Sequence, residues 1–483
     1  MIRFCATIVL VLIALANPAI AQQESDYSSL IERLEHPLWT ARQDAALALG
    51  ASGPAAATAI QALTRALDDV DVQVRRAAVQ ALAEVGIGSE AAVPGLVTAL
   101  ADDDWVVRRR AALAFEAVPG AGAIDAIREL LQNESADVRT SAALAASGLA
   151  PHSIDALPEL VDALAADDWQ LRAAAAHALG ALGPGAEDAL PALAHALRDR
   201  DWGVAEQVVE ALSTIGKPAV PVLVDALGDP ALPVRWGAVR ALGRIGADAE
   251  TAVPAIAGLL DDPAIQARWA AAKSLWAMGR AAADATPELV AALDDKDWVV
   301  RWSASRALGA VVAEPHLESA VTALAAGLQD RDSRVCEAAA FALEEIGPDA
   351  VSALPPLSRA ATETGLVEIE DETLRPCQII DVGPAAEELL MASGWTVRWA
   401  AVRALGVVGK GRASAIEPLA AALADEQWQV RGVAALALGE FGAPASTALA
   451  ALEVARDDEI EAVRDAAAIA IAGVTGRAEE TEQ

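Results

Sequence analysis

One tyrosine and four phenylalanines occur in 483 residues. Strands draw on aromatic and β-branched residues, whereas alanine and leucine, which dominate here beside valine, favour helices. Composition therefore excludes a sheet-rich fold and points to an all-α protein. Histidine is scarce too. His36, His152, His177, His195 and His316 are scattered, with no second histidine at metal-ligand spacing and no His-Glu dipeptide. There is no Cys-x-x-Cys, no phosphate-cradling glycine loop and no serine elbow. The acidic clusters lack EF-hand spacing. No cofactor, metal or catalytic residue is expected, and an enzyme is not.

Positive charge is short. Acidic residues outnumber basic ones 69 to 36, for a net charge of −33, and the only lysines are Lys217, Lys273, Lys296 and Lys410. Such a polyanion repels nucleic acid and anionic membrane. Long apolar runs are missing as well, except at the start. "MIRF", then "CATIVLVLIALA", then "PAIA" read as a secretory signal over residues 1–21, cut before Gln22. The rest is expected to be monomeric, soluble and without stable membrane insertion, in a bacterial periplasm. Residues 22–27 form a short linker and 476–483 an acidic tail.

What the chain has instead is repetition. "ADDDWVVRRRAALAF", "AADDWQLRAAAAHALG", "DDKDWVVRWSASRALG" and "ADEQWQVRGVAALALG" are near-copies. Aligned on the arginine, the register falls at Arg42, Arg75, Arg108, Arg139, Arg172, Ala205, Arg235, Arg268, Arg301, Cys336, Arg398, Arg431 and Arg464, mostly 33 residues apart. After the arginine, apolar residues recur at steps of three and four until a glycine, which predicts an amphipathic helix with a glycine stop. Pro94, Pro158, Pro191, Pro221, Pro254 and Pro287 lie fourteen before the next register and open a second, shorter helix. Asp71, Asp104, Asp168, Asp201, Asp297 and Asp332, four before the register, suit capping of the long helix. One such pair cannot bury its own apolar face, but stacked neighbours can. The expected fold is all-α: an α-solenoid of about 13 two-helix repeats over residues 28–475, forming a curved surface.

This pattern resembles the HEAT repeat, in the short alanine-rich form named after phycobilisome lyases. The resemblance covers nearly all of the repeats. It implies that an aspartate six before each arginine pairs with arginines along the stack. Asp69, Asp102, Asp229, Asp262, Asp295 and Asp425, with Arg75, Arg108, Arg235, Arg268, Arg301 and Arg431, would form that ladder, interrupted at Ala205 and Cys336. The resemblance says little about function.

Eleven of twelve tryptophans occupy two places in the repeat. Trp39, Trp105, Trp169, Trp202, Trp298, Trp395 and Trp428 lie three before the register, where each ring is expected to lid the gap between layers. Trp236, Trp269, Trp302 and Trp399 follow the register directly. Each is followed four residues later by a cation: Arg240, Lys273, Arg306 and Arg403. That is cation–π spacing. These pairs are expected to point outward as an aromatic-basic stripe, with packing between layers as the competing reading. On the short helices, Glu129, Asp162, His195 and Asp225 form a polar row facing the groove.

Between Cys336 and Arg398 the step is 62. Ala361–Gly383 is expected to replace the first helix of one repeat with a hairpin or ordered loop, with Pro384 opening the surviving second helix. Cys336 and Cys377 could pair in an oxidising compartment. The function expected is a non-catalytic scaffold that binds another protein. Bilin-lyase or chaperone-like work, implied by the family's name, and glycan binding by the tryptophan stripe are the alternatives.

Overall fold

The computed structural model of the protein describes residues 27–118, 121–362 and 394–476. The signal segment, all of the linker but Tyr27, most of the 361–383 insertion, Pro384, Cys377 and the tail beyond Gly476 lie outside the described residues. The chain divides into two compact units, Met1–Val222 and Leu223–Gln483, built alike. Each is a stack of long and short helices in alternation. There are six long helices in the first unit and seven in the second, with no strand among the described residues. The fold is an α-solenoid.

The capping register starts five of the described long helices. The carboxylates of Asp71, Asp104, Asp168, Asp201 and Asp332 accept amide hydrogens of the first turn. Asp297 departs from this expectation. It caps nothing, and Arg268 Nη2 donates to it at 2.5 Å instead. The end of each helix also follows from sequence. Gly216 and Gly246 stop their helices with φ of 76° and 69°, a conformation that a side chain would strain. A short 3₁₀ turn then leads into the short helix, with proline in its first turn, as at Leu157–Ala163 and Leu190–Ala196.

Packing explains the alanine. A long helix is flanked by the long helices before and after it, so Trp169–Ala181 buries Leu171, Ala174, Ala175, Ala176, Ala178, Leu179 and Gly180. A Cβ on Gly180 would fall 2.8 Å from Ala211 Cα in the next layer. The "ALG" phrase is thus a close-approach surface. Short helices contribute larger groups to the same interior: Leu63, Leu96, Leu160 and Leu193 are fully buried, at about 1.5–3 kcal/mol each.

Of the 361–383 segment only Ala361 and Thr362 are described, so the expected replacement of a first helix, and the second helix from Pro384, lie outside the described residues. Ala361 and Thr362 complete the short helix Leu354–Thr362, and the next described helix is the long Gly394–Val408. That helix packs directly on Ser333–Ile346, where Arg403 pairs with Glu344 at 2.7 Å. The two described long helices on either side of residues 363–393 are thus direct neighbours in the stack.

Layers are tied along one edge. In the first unit Arg42, Arg75 and Arg172 each place Nε and Nη2 on the carboxylate of the next layer, that of Asp69, Asp102 and Asp199. In each, Nη1 donates to a carbonyl of the arginine's own loop. The acceptor aspartate in turn takes the amide two residues on, as Asp199 does from Asp201 at 2.8 Å. In the second unit the rungs are Arg235–Asp262, Arg268–Asp295, Arg301–Asp330, Arg398–Asp425 and Arg431–Asp458. Asp229 is buried and accepts the amide of Ala231. Ala205 brings no guanidinium to its layer. Cys336 is buried, and its Sγ donates to the carbonyl of Asp330, the contact an arginine makes at this register. Burial pushes its thiol up to about 12.

The Arg172 fork, helped by the Asp201 amide and opposed by burial, holds the Asp199 carboxyl below its ordinary range. Arg431 does the same for Asp458. A depressed carboxylate contributes stability above the unfolded value, about 4, and loses it as pH falls through the folded value. Arg172→Met should therefore lower the urea midpoint most near pH 7, and the gap to the natural protein should close below about pH 4. A gap that does not change with pH would contradict the charge-based rung.

Candidate functional site

The edge that carries the ladder also carries the exposed aromatic rings. Trp39, Trp105, Trp169, Trp202, Trp298 and Trp428 each open their long helix, most of them behind an acidic turn, and Trp395 is the second residue of its own. A side chain at the helix start leaves the helix beyond the last lateral contact. Trp105 is 62 % exposed, Trp202 59 %, Trp169 50 %, Trp39 43 % and Trp428 42 %. Leu38 and Val70 are exposed beside them in the first unit. These five rings do not lid the gaps between layers, as the sequence suggested. Trp298 and Trp395 are half-buried; the Arg334 guanidinium lies 3.4 Å above the Trp298 ring.

The other set behaves in the opposite way. Trp269 and Trp302 are 8 % and 9 % exposed, and Trp236 and Trp399 are half-buried. The outward stripe expected from the sequence is therefore absent. The position after the register faces the next long helix: Trp302 packs on Val335 and Ala338 and meets Trp276 edge-on, centroids 6.3 Å apart. The i, i+4 cations cover three of the rings. Arg240 is 4.4 Å from the Trp236 centroid, Lys273 5.1 Å from Trp269 and Arg403 4.9 Å from Trp399. Arg306 breaks the pattern. Its guanidinium lies over Trp276 of the layer before, at 5.0 Å, and over Phe341 of the layer after, at 5.4 Å. Rings in the seam with cations at its rim are a packing device, so a glycan surface on these four rings loses its basis.

Glu129, Asp162, His195 and Asp225 are all exposed near the ends of their short helices. Glu129, Asp162 and His195 belong to the first unit. Asp225 belongs to the second.

The aromatic edge is electrically negative. Asp102, Asp103 and Asp104 precede Trp105, Asp167 and Asp168 precede Trp169, and Asp199 and Asp201 flank Arg200 before Trp202. Arg76 forks onto Asp104 at 2.6 and 2.9 Å and holds that carboxyl below its usual range. Asp104 and Asp199, both held below the ordinary carboxylate range, keep their charge through neutral pH. The arrangement offers π faces beside fixed anions, which suits a cationic ligand. Among the described residues no group of three histidine, cysteine, aspartate or glutamate side chains is placed to hold a metal ion, and no helix is long and apolar enough to cross a membrane.

A family model described as HEAT repeats matches the chain in nine stretches, the first eight overlapping: residues 27–116, 60–148, 93–180, 124–213, 157–242, 196–276, 253–344, 286–367 and 384–472. The chain belongs to the HEAT-repeat family. Among solved structures, importin beta in an ammonium sulfate condition is similar to this HEAT-repeat protein with a TM-score of 0.56 at 14% identity, over 94% of this chain and 68% of that one. A chain of a homology model of the full-length AP-3 complex in an intermediate open conformation has a TM-score of 0.58 at 12% identity, over 96% of this chain and 89% of that one. Both likenesses are of fold. No curated protein matches in sequence.

Proposed function

We propose that this HEAT-repeat protein is a non-catalytic, monomeric scaffold that binds a partner protein. Its docking surface in the first unit is the edge bearing Trp39, Trp105, Trp169 and Trp202. The exposure of those rings among fixed aspartates carries the reading. Each ring left in water forgoes the gain that burial would bring, about 25 cal/mol per Å² of apolar surface. A partner segment rich in arginine or lysine would recover it. Its aliphatic stems would cover the rings, its cations would lie over π faces, and the net charge of −33 would speed encounter. Importin beta and the AP-3 chain support a solenoid used as a platform, by likeness of fold. The wording of the repeats favours the phycobilisome-lyase type, which would make a bilin-bearing protein the alternative partner. Visible absorbance of the purified protein decides between them.

The expected result is that a labelled Arg/Lys-rich peptide binds by fluorescence anisotropy, less tightly as salt rises. Trp105→Ala with Trp169→Ala should weaken it at least tenfold while leaving the helical circular dichroism unchanged. Equal binding of an acidic peptide, or no loss in the double variant, would remove this edge as the docking surface.

We also infer secretion into a periplasm, from the charged start, apolar run and Ala19-Ile20-Ala21 site of residues 1–21. Mass spectrometry of protein made in a bacterial host should find Gln22 at the N-terminus. A mature chain that still starts at Met1 would argue against export.

A further inference from the structure

In the first unit the acceptor column of the ladder reads His36, Asp69, Asp102, Asn133, Ala166 and Asp199. Two of the positions that follow a register arginine thus lack a carboxylate. Where Asn133 stands, a substitute enters: Arg108 Nη2 donates to Asp137 at 2.6 Å. Where Ala166 stands, none does. Arg139 Nη1 donates to the carbonyls of Asn133 and Glu134 at 2.6 and 3.0 Å, as ladder arginines do. Its Nε and Nη2 edge, which Arg42, Arg75 and Arg172 each fill with an aspartate, meets no carboxylate among the described residues.

The shortened side chain leaves a cavity of 240 Å³ in place of the rung, lined by Arg139, Ala166, Glu159, Asp162, Leu131 and Leu171 among others. That is below the usual range for drug-sized ligands, about 300–1,000 Å³, and suits a molecule the size of one residue. Glu159, on the cavity's wall, also carries an unmet acceptor. Glu159 Oε1 takes Arg128 Nη2 at 2.9 Å, while Oε2 is buried and accepts no hydrogen bond among the described residues. Burial works against this carboxylate, but Arg128, the Glu159 amide and the Gln132 side chain together hold it below its ordinary range. A buried acceptor without a donor is costly, so a ligand that supplies a donor gains affinity there.

We propose that the vacant rung binds a terminal carboxylate with an N–H donor beside it, the carboxylate on the Arg139 fork and the N–H on Glu159 Oε2. The body of the ligand lies against Leu131 and Leu171 and is small and apolar. Two sources share this chemistry: a free α-amino acid, and the C-terminal residue of a polypeptide. The pocket lies on the ladder edge near Trp169, but the proposal uses none of the exposed rings and does not rest on the scaffold reading.

Calorimetric titration of the full chain tests it with L-alanine, trialanine and trialanine amide. At least one of the two carboxylates should bind, and amidation of the tripeptide should weaken it tenfold or more. Ala166→Asp restores the rung. That variant should unfold at higher urea than the natural protein and bind the same probe at least tenfold more weakly, so lost binding there is not lost folding. Arg139→Met should lose binding equally. Binding of alanine alone assigns a free amino acid, and binding of trialanine alone assigns a chain end. No binding of either carboxylate, or undiminished binding by Ala166→Asp, overturns the proposal.

Discussion

A guanidinium shared between two layers is the interaction on which this fold turns. Five N–H groups in one plane let an arginine address its own loop and the next layer together. Arg235 shows the arrangement: Nη1 donates to the carbonyls of Asp229 and Pro230, and Nε and Nη2 hold Asp262. Asp262 then fixes the amide of Ala264, which leads into the helix Ile265–Met278. One pair of side chains thus sets the spacing of layers and the start of the next helix. Alanine faces as small as these specify little register by shape, so a directional bidentate contact supplies what packing leaves open.

The period, the two helices per repeat, the glycine stops and the ladder columns were legible in sequence because each is a local rule that recurs every 33 residues or so. Which tryptophans meet water was not. Trp298 and Trp302 lie four residues apart on one helix, a spacing that puts both on one side, and periodicity alone cannot say which reaches the next layer. Trp298 packs half-buried against the same cluster as Trp302, whereas the other helix-opening rings, such as Trp105 and Trp169, stay exposed. Arg306 was misassigned for the same reason. Its place over Trp276 and Phe341 depends on the layers before and after, and an i, i+4 rule sees only its own helix.

The gap at Ala166 was visible in the acceptor column as a missing acid. Its meaning was not, because the column does not show whether another carboxylate moves in. Asp137 does so for Arg108, and no described residue does so for Arg139. A regular ladder makes its departures informative. Where the repeat is obeyed, charged residues are satisfied by their neighbours and have little left for a ligand. Where it is broken with the cation retained, binding capacity is left over. The exposed rings follow a similar logic, since the acidic turn that starts most of their helices leaves the first side chain outside the stack.

The rung itself is tested most directly by a double-mutant cycle on Arg235 and Asp262, whose side chains are largely buried. Urea unfolding of the natural protein, Arg235→Met, Asp262→Leu and the pair gives the coupling energy free of each residue's separate effects. A coupling of about 2 kcal/mol or more, with each single variant losing about 3–5 kcal/mol, is expected if the shared guanidinium holds the layers. A coupling below about 0.5 kcal/mol, the size of an ordinary surface pair, would mean that alanine packing alone sets the stack.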